Sequence, residues 1–536
     1  MKQLIEDIRL FLDKKRIVIP LCIVMVLSYL YLWTHPSMGV DDTAMYRYFQ
    51  DGYAPHYGRW TVFLLAKLVH IIDFTPVVVD AIGVLLIGLS ALGMCSVWKR
   101  SSGDRIPVEA YAVFSCFMVS YPLINEVYVY YLHNGLGVAY VLTLASYYLL
   151  RFGDKKRDVL YSTLLFAPAI SCYETLAEVF LLLLFADTLI RMTLGKEQIS
   201  WKQWMMLFLR CCVVIIVGMM IKTWVAHIVL WAVGMEPYFH SIGKELKWLF
   251  SGEMWPTIMS MIRGFGRYYV LNATVNFAIT MFWIAMVIMA VFGIHQVIKK
   301  KSFLLFLNVV GIVGISWVIS VIEGTIGAYR MMQPFPVLVA LAMLLLYVWL
   351  SNADRKKWVR NIGLVVILIC LYNQVYETNK WYYVDYMKYE EEKMICHELA
   401  YDIKREATME KPIIFVGRIE EYGTIKKYMC VRPDSWQYRL FAAVDGTTET
   451  DKQYEIIQNP AWYSVFAWGV DAFDEQATEI ANFFAYHGYP IETASREEKW
   501  EILPEVQDMP VWPKAGSIVE TKDHVIVKLG EEAPEE

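Results

Sequence analysis

Lys14-Lys15-Arg16-Ile17-Val18-Ile19-Pro20-Leu21-Cys22-Ile23-Val24-Met25-Val26-Leu27-Ser28-Tyr29-Leu30-Tyr31-Leu32-Trp33 is the stretch that decides the fold class of this chain. Three cations are followed directly by an uncharged run that ends on an aromatic residue. A helix needs about 20 mostly apolar residues to cross hydrocarbon, and positive residues are retained on the cytoplasmic side. The stretch therefore reads as a first membrane span with a cytoplasmic N-terminus. It begins too late and ends too bulkily for a typical cleaved signal peptide.

Outward from it, comparable apolar runs recur at 76–98, 107–122, 134–150, 159–172, 173–192, 205–232, 274–297, 302–322, 333–351 and 361–376. The expected fold is thus a polytopic α-helical membrane protein with about 11 transmembrane helices. Composition agrees: 57% of the 536 residues are hydrophobic and 19% charged, against roughly 25% charged in ordinary soluble proteins. Basic residues cluster in alternate connections, at Lys99, Arg100 and Arg105, at Arg151 and Lys155 to Arg157, at Lys196 and Lys202, at Lys299 to Lys301, and at Arg355 to Lys357 with Arg360. Those loops are expected inside. The opposite set, at 123–133, around 172 and at 323–332, holds Arg330 alone, and the longer loops 34–75 and 233–273 are sparsely basic.

An odd number of spans leaves the tail outside. The expected division is a transmembrane domain over 1–375, with outer-face loops 34–75 and 233–273, and an extracytoplasmic α/β domain over 376–536. The segment Trp60 to Ile72 is short and carries Lys67 and His70, which suits a helix lying in the interface. Segment 234–273 reads similarly through Trp248, Trp255, Tyr268 and Tyr269. In the tail, 386–407 is an amphipathic helical stretch, Pro412 to Gly417 a buried strand ended by glycine, 472–488 helical, and Ser517 to Leu529 a hairpin around Lys522-Asp523.

Net charge is -5, which excludes the basic surface that nucleic-acid binding requires. Nine cysteines form no CxxC pair; seven lie in or beside apolar runs, and only Cys396 and Cys430 fall in the polar tail, with their pairing left open. No Walker, Rossmann, zinc or Gly-x-Ser-x-Gly pattern is present in the tail.

The leading site candidate is Gly39-Val40-Asp41-Asp42, two adjacent carboxylates just past the first span. A carboxylate beside a partly desolvated cleft can take the proton of an acceptor hydroxyl, its neighbour orienting it or binding a metal ion. A loop aspartate that caps a helix is the alternative. Glu174 stands in a tight outer connection with Glu178 one helical turn on, where charge at membrane depth demands a cavity or a partner. Glu126 and His133, flanking Tyr128, Tyr130 and Tyr131, form another outer cluster. Arg330 is the lone cation of a short outer loop; it is placed to hold a lipid-borne phosphate by two parallel hydrogen bonds, or to pair with Glu323 or snorkel into headgroups.

The order of these pieces resembles the Gtr-type glucosyltransferases that modify bacterial surface polysaccharides: a first span, Gly39-Val40-Asp41-Asp42, a loop ending Gly58-Arg59-Trp60, Tyr173-Glu174 and a late Arg330. Lys411 to Gly417, the stretch around Trp468 and Met509 to Ser517 are similar to that family's end. The resemblance implies a GT-C-like fold in the bacterial cell membrane and a hexose, glucose by analogy, moved from a polyprenyl-phosphate carrier to a cell-surface glycan. It implies a catalytic base at Asp41 or Asp42, phosphate contacts from Arg59 and Arg330, and sugar or acceptor contacts from Glu174 with Tyr173. No cofactor is required, and a divalent metal at Asp41 and Asp42 stays open. A polysaccharide ligase or polymerase would need more basic residues for a pyrophosphate. A flippase without covalent chemistry would show repeats and a polar midplane path, and no repeat is visible.

Overall fold

The computed structural model describes residues 2–40, 42–43, 56–69, 76–124, 135–153, 155–195, 199–235, 246–326, 329–352, 356–419, 422–446, 454, 464–467 and 478–532. The chain forms two compact units: one of Met1–Thr34, Asp51–Tyr128 and Leu132–Lys380, the other of His35–Gln50, Val129–Tyr131 and Trp381–Glu536.

The first unit is helical. Its elements are α1 (Lys2–Leu12), α2 (Lys15–Thr34), α3 (Trp60–Val69), α4 (Pro76–Ser102), α5 (Val108–Val119), α6 (Leu136–Phe152), α7 (Lys156–Cys172), α8 (Leu176–Thr193), α9 (Trp201–Val233), α10 (Met254–Phe265), α11 (Phe277–Lys300), α12 (Phe303–Gly314), α13 (Val318–Glu323), α14 (Pro334–Leu350) and the start of α15 (Lys357–Glu406). Among the described residues, 6 helices are long and apolar enough to cross a membrane: Lys15–Thr34, Val77–Ser102, Trp201–Val233, Phe277–Lys300, Phe303–Glu323 and Lys357–Glu406. Shorter apolar helices cover Val108–Ile124, Leu136–Phe152 and Pro334–Leu350.

Helix α9 shows why these segments belong in lipid. Ser200 and Gln203 close a capping box at its start, and Gly234, in the left-handed region at φ 73°, ends it. Between them one face buries Trp204, Cys211, Val214, Gly218, Lys222, Ala226 and Leu230. The other face is equally apolar but exposed, with Met220 66%, Trp224 67% and Trp231 84% accessible. A helix apolar all round has hydrocarbon on its outward face. Helix α14 is the inner member, buried continuously from Pro334 to Leu345. The ends that carry basic loops are stapled by ion pairs, Arg100 to Asp7 at 2.6 Å and Arg151 to the fully buried Asp187 at 2.7 Å.

The second unit contains the remainder of α15 and a three-stranded sheet in the order β1-β3-β2, with β1 (Ile413–Val416), β2 (Ile518–Glu520) and β3 (Val525–Lys528). β1 runs parallel to β3, Ile413 facing Val525, and β2 runs antiparallel to β3, Val519 facing Ile526. Every residue of β1 is buried, because Ile413 also bonds to Glu492 and Ala494 on its other side. Gly417 ends β1 at φ 69°, and a side chain there would meet the backbone of Gly530. Helices α16 (Gly423–Met429), α17 (Trp436–Asp445), α18 (Thr478–Tyr486) and α19 (Arg496–Ile502) accompany the sheet. Ile414, Val416 and Ile526 form one core with Leu503 and Val506; Trp381, Val384, Tyr422, Ile425 and Met429 form another. Cys396 is buried and Cys430 half-buried, and neither is disulfide-bonded.

Candidate functional site

In the first unit, a group of charged side chains gathers where α3, α7, α8 and α9 meet. Gly58, at φ 75°, turns the chain into α3. Ser171, in the last turn of α7, pins that turn: its hydroxyl donates to the Gly58 carbonyl at 3.3 Å and accepts the Thr61 N–H at 3.0 Å. The Trp60 indole donates to the Lys222 carbonyl of α9 at 3.1 Å. Arg59, half-buried between these two anchors, acts electrostatically on Lys222 and Cys172.

Lys222 is the one charged member of the buried stripe of α9. One turn before it, Gly218 lets α9 approach α7 so closely that a Cβ would lie 3.0 Å from the Phe166 ring. This approach carries the lysine to the α7–α8 connection, where its ammonium forms an ion pair with Glu174. The Lys222 side chain is 10% exposed and that of Glu174 58%, so the pair opens to its surroundings on the glutamate side. Tyr173, the C-cap of α7, is buried. Glu178, one turn into α8, is also buried and accepts the Ile319 N–H at 2.8 Å. That N–H is exposed by the 3-10 turn Ile315–Trp317 between α12 and α13, so the carboxylate satisfies a donor that a continuous helix would have used itself.

Arg330 lies half-buried in a 3-10 turn, Tyr329–Met331. Its carbonyl accepts from the Gln333 amide at 2.7 Å, and Tyr140 donates to the same glutamine's side-chain oxygen at 2.9 Å. Tyr329 donates to the Tyr268 carbonyl at 2.7 Å and its ring meets that of Tyr269, centroids 5.5 Å apart. Tyr269 sits in a π-helical turn, Gly266–Leu271, among Trp317 at 4.8 Å, Phe335 at 5.9 Å and Phe265 at 5.7 Å. Aromatic edges and faces hold the backbone beside Arg330 in place.

Asp42 belongs to the second unit and is fully buried. Its carboxylate accepts the Gly39 N–H at 2.8 Å, while Thr43 donates to the Val40 carbonyl at 2.7 Å and its own carbonyl accepts from Asn482 at 3.2 Å. Nearby on α15, the fully buried Lys388 lies 3.4 Å from Asp385 and 3.8 Å from Glu392 and is within electrostatic reach of Asp42. Ser37 donates to Asp385, and Glu392 accepts the Val465 N–H at 2.5 Å. Asp41, Glu126 and His133 lie outside the described residues, as does Trp468. Among the described residues no group of three His, Cys, Asp or Glu side chains is arranged to hold a metal.

Of the residues singled out from sequence, the structure gathers Arg59, Tyr173 and Glu174 within the first unit and surrounds Asp42 with its own partners in the second. Sequence reading missed Lys222 and Lys388. The helical phase of Cys211, Val214, Gly218 and Ala226, which places residue 222 on the buried stripe, was the available signal for the first.

A family model described as Glucosyl transferase GtrII matches residues 30–348, more than half of the chain. With the apolar helices, that match defines a helical membrane protein that is a glycosyltransferase. The chain belongs to the Glucosyl transferase GtrII family. No curated protein and no solved structure matches it. The matched region contains Asp42, Arg59, Tyr173, Glu174, Lys222 and Arg330 and stops before α15 and the sheet.

Proposed function

We propose that this glucosyltransferase works on the extracytoplasmic face of a bacterial membrane, taking a hexose from a polyprenyl phosphate and passing it to a cell-surface glycan. About eleven spans of a GT-C-like fold, with the second unit outside, fit the alternation of basic loops. The observation that carries the reading is a cationic and anionic group, Arg59, Lys222 and Glu174, set at the meeting of apolar helices in a member of a glucosyltransferase family. A water-soluble nucleotide sugar needs no such placement, whereas a carrier whose chain stays in hydrocarbon brings its phosphate to helix ends of this kind.

In this reading Asp41 takes the proton of the acceptor hydroxyl as that oxygen bonds to the sugar's anomeric carbon. The bond from that carbon to the phosphate oxygen breaks, and the polyprenyl phosphate leaves with the electron pair. Charge grows on the phosphate as the bond breaks, so guanidinium groups at Arg59 and Arg330 favour the transition state over the ground state. Glu174 and Tyr173, with Glu126 and His133, contact the sugar or the acceptor. Asp42, buried and already engaged by Gly39, is left the orienting role of the pair. A strain lacking the gene tests this reading. Mass spectrometry of its surface glycans should show the loss of one hexose per modified unit, restored by the wild-type chain and not by Asp41→Asn. Unchanged glycans in the deletion strain would remove the reading.

A further inference from the structure

Met509 to Ser517 lies beyond the region matched by the family model, residues 30–348, and has no part in the donor chemistry, yet the second unit builds a cleft beside it. Met509 packs against the core of Ile414, Val416, Leu503, Val506 and Ile526. Three residues on, the Trp512 backbone N–H donates to the Lys528 carbonyl at the end of β3, at 2.8 Å. Its indole N–H donates to Asp402 of α15 at 3.1 Å, so the half-buried ring is fixed at its base and at its tip. The facing part of α15 has two sides: Cys396, Leu399, Ala400 and Ile403 are fully buried, which leaves His397, Glu398, Tyr401 and Asp402 on the outward side. These four, with Trp512 and Pro513, line an open cleft of about 430 Å³, within the size range of small-molecule sites.

Single exposed aromatics are ordinary, but Tyr401, 66% accessible, shares this cleft with a second aromatic ring and with carboxylates. One oxygen of Asp402 accepts from Trp512 and the other from Arg405 at 2.9 Å, and each keeps acceptor capacity for a further donor. Glu398 has no ion-pair or hydrogen-bond partner among the described residues. His397 is braced by Tyr489, ring nitrogen and hydroxyl 3.0 Å apart. Aromatic faces bordered by strong acceptors match a pyranose, whose C–H face is apolar and whose rim carries hydroxyl donors. The two carboxylates repel a phosphate, which separates this cleft from the donor. Arg405, paired with Asp402 and 5.8 Å from the Tyr401 ring centre, already fills the place that a cationic peptide side chain would take. We propose that this cleft is a saccharide subsite, in which Trp512 and Tyr401 stack on a neutral stretch of the acceptor glycan and Glu398 and Asp402 accept from its hydroxyls. The inference rests on the reading that the acceptor is a cell-surface glycan, and gives the second unit the task of holding it. Because the ring and Asp402 are already fixed, binding orders little that is not ordered beforehand.

Binding to the full-length, detergent-purified chain tests the subsite, with three probes: neutral oligosaccharide fragments of the surface glycan from the deletion strain, a short-chain polyprenyl phosphate and a lysine-rich peptide. Tyr401 is mostly exposed, so Tyr401→Ala should keep the wild-type unfolding midpoint while weakening fragment binding about five- to tenfold, the loss of one stacking face. Glu398→Gln should weaken it about threefold. Both variants should raise the KM for the acceptor by those factors and leave the KM for the lipid donor unchanged, a split that a purely structural role would not produce. Wild-type fragment affinity in Tyr401→Ala overturns the subsite. Should that variant's midpoint fall, Glu398→Gln, which keeps shape and size, carries the test, and wild-type affinity there overturns it equally. Displacement of the fragments by polyprenyl phosphate, or tighter binding of the peptide that is lost in Glu398→Gln, would assign the cleft to another ligand and overturn the proposal. These outcomes leave the transfer reading intact, because the deletion strain's own glycans decide it separately; unchanged glycans there remove the acceptor and this subsite with it.

Discussion

At the scale of single residues, the two adjacent aspartates are expected to separate by readout. Asp42 is buried, accepts the Gly39 N–H and lies within reach of Lys388, so Asp42→Asn removes a charge that compensates a buried ammonium and should lower the unfolding midpoint by the equivalent of about 1–3 kcal/mol. Asp41→Asn should leave the midpoint unchanged and cut transfer about 10²- to 10⁴-fold, the range of a lost general base. Rates at equal protein level decide it, and wild-type transfer by Asp41→Asn would exclude that carboxylate. Two acids shortly after an apolar span mark the pair in the sequence, and of the two only Asp42 falls among the described residues. Lys222 was not legible, since one cation in an apolar run reads as a snorkelling side chain until its partner, 48 residues away, is known to be adjacent. The amphipathic helix expected over 386–407 gives no sign that Lys388 and Glu392 are fully buried; only the fold reveals that such charges neutralise one another.

Among elements, the contact of α9 with α7 sets the position of Lys222. Gly218→Leu would drive a branched side chain into Phe166 and Ala167; overpacking of this kind costs about 1–3 kcal/mol, so the unfolding midpoint should fall and transfer should fall with it. A midpoint equal to wild type would mean that the helices are not held this closely. In the second unit, α18 leads into His487, whose ring packs on Phe483 at 4.6 Å. Burial, with the charges of His397 and Lys393, pushes His487 down from 6.5 to about 4. The unfolded chain then binds a proton first as pH falls, so this group's contribution is present above about 6.5 and is lost as pH falls toward about 4. His487→Phe should flatten the decline of the melting midpoint between those values, and an unchanged decline would contradict the assignment. Element positions followed the apolar periods well: the run at 205–232 is α9, Trp201–Val233, and the segment from Trp60 is the short helix α3, ending at Val69. The break at Ile315–Trp317 was hidden within a uniformly apolar run, because what stabilises it is Glu178, supplied from another helix.

For the whole molecule, orientation and donor are the open claims, and they depend on each other. The proposed topology puts the connection at Lys156 inside and Glu531 outside. An impermeant thiol reagent applied to intact cells should therefore label a cysteine introduced at Glu531 and not one at Lys156, and the opposite pattern would reverse the molecule. Membrane class and family were readable from composition, span spacing and the order of short motifs, since these depend on local chain chemistry. Which charges meet depends on helix packing and was not readable. The central claim is that the hexose comes from a lipid monophosphate, and the most direct test offers the purified chain an acceptor glycan with either a synthetic polyprenyl-phosphate hexose or the corresponding nucleotide sugar. The account predicts transfer from the lipid donor and none from the nucleotide sugar; efficient transfer from the nucleotide sugar, with the lipid donor left unused, would contradict it.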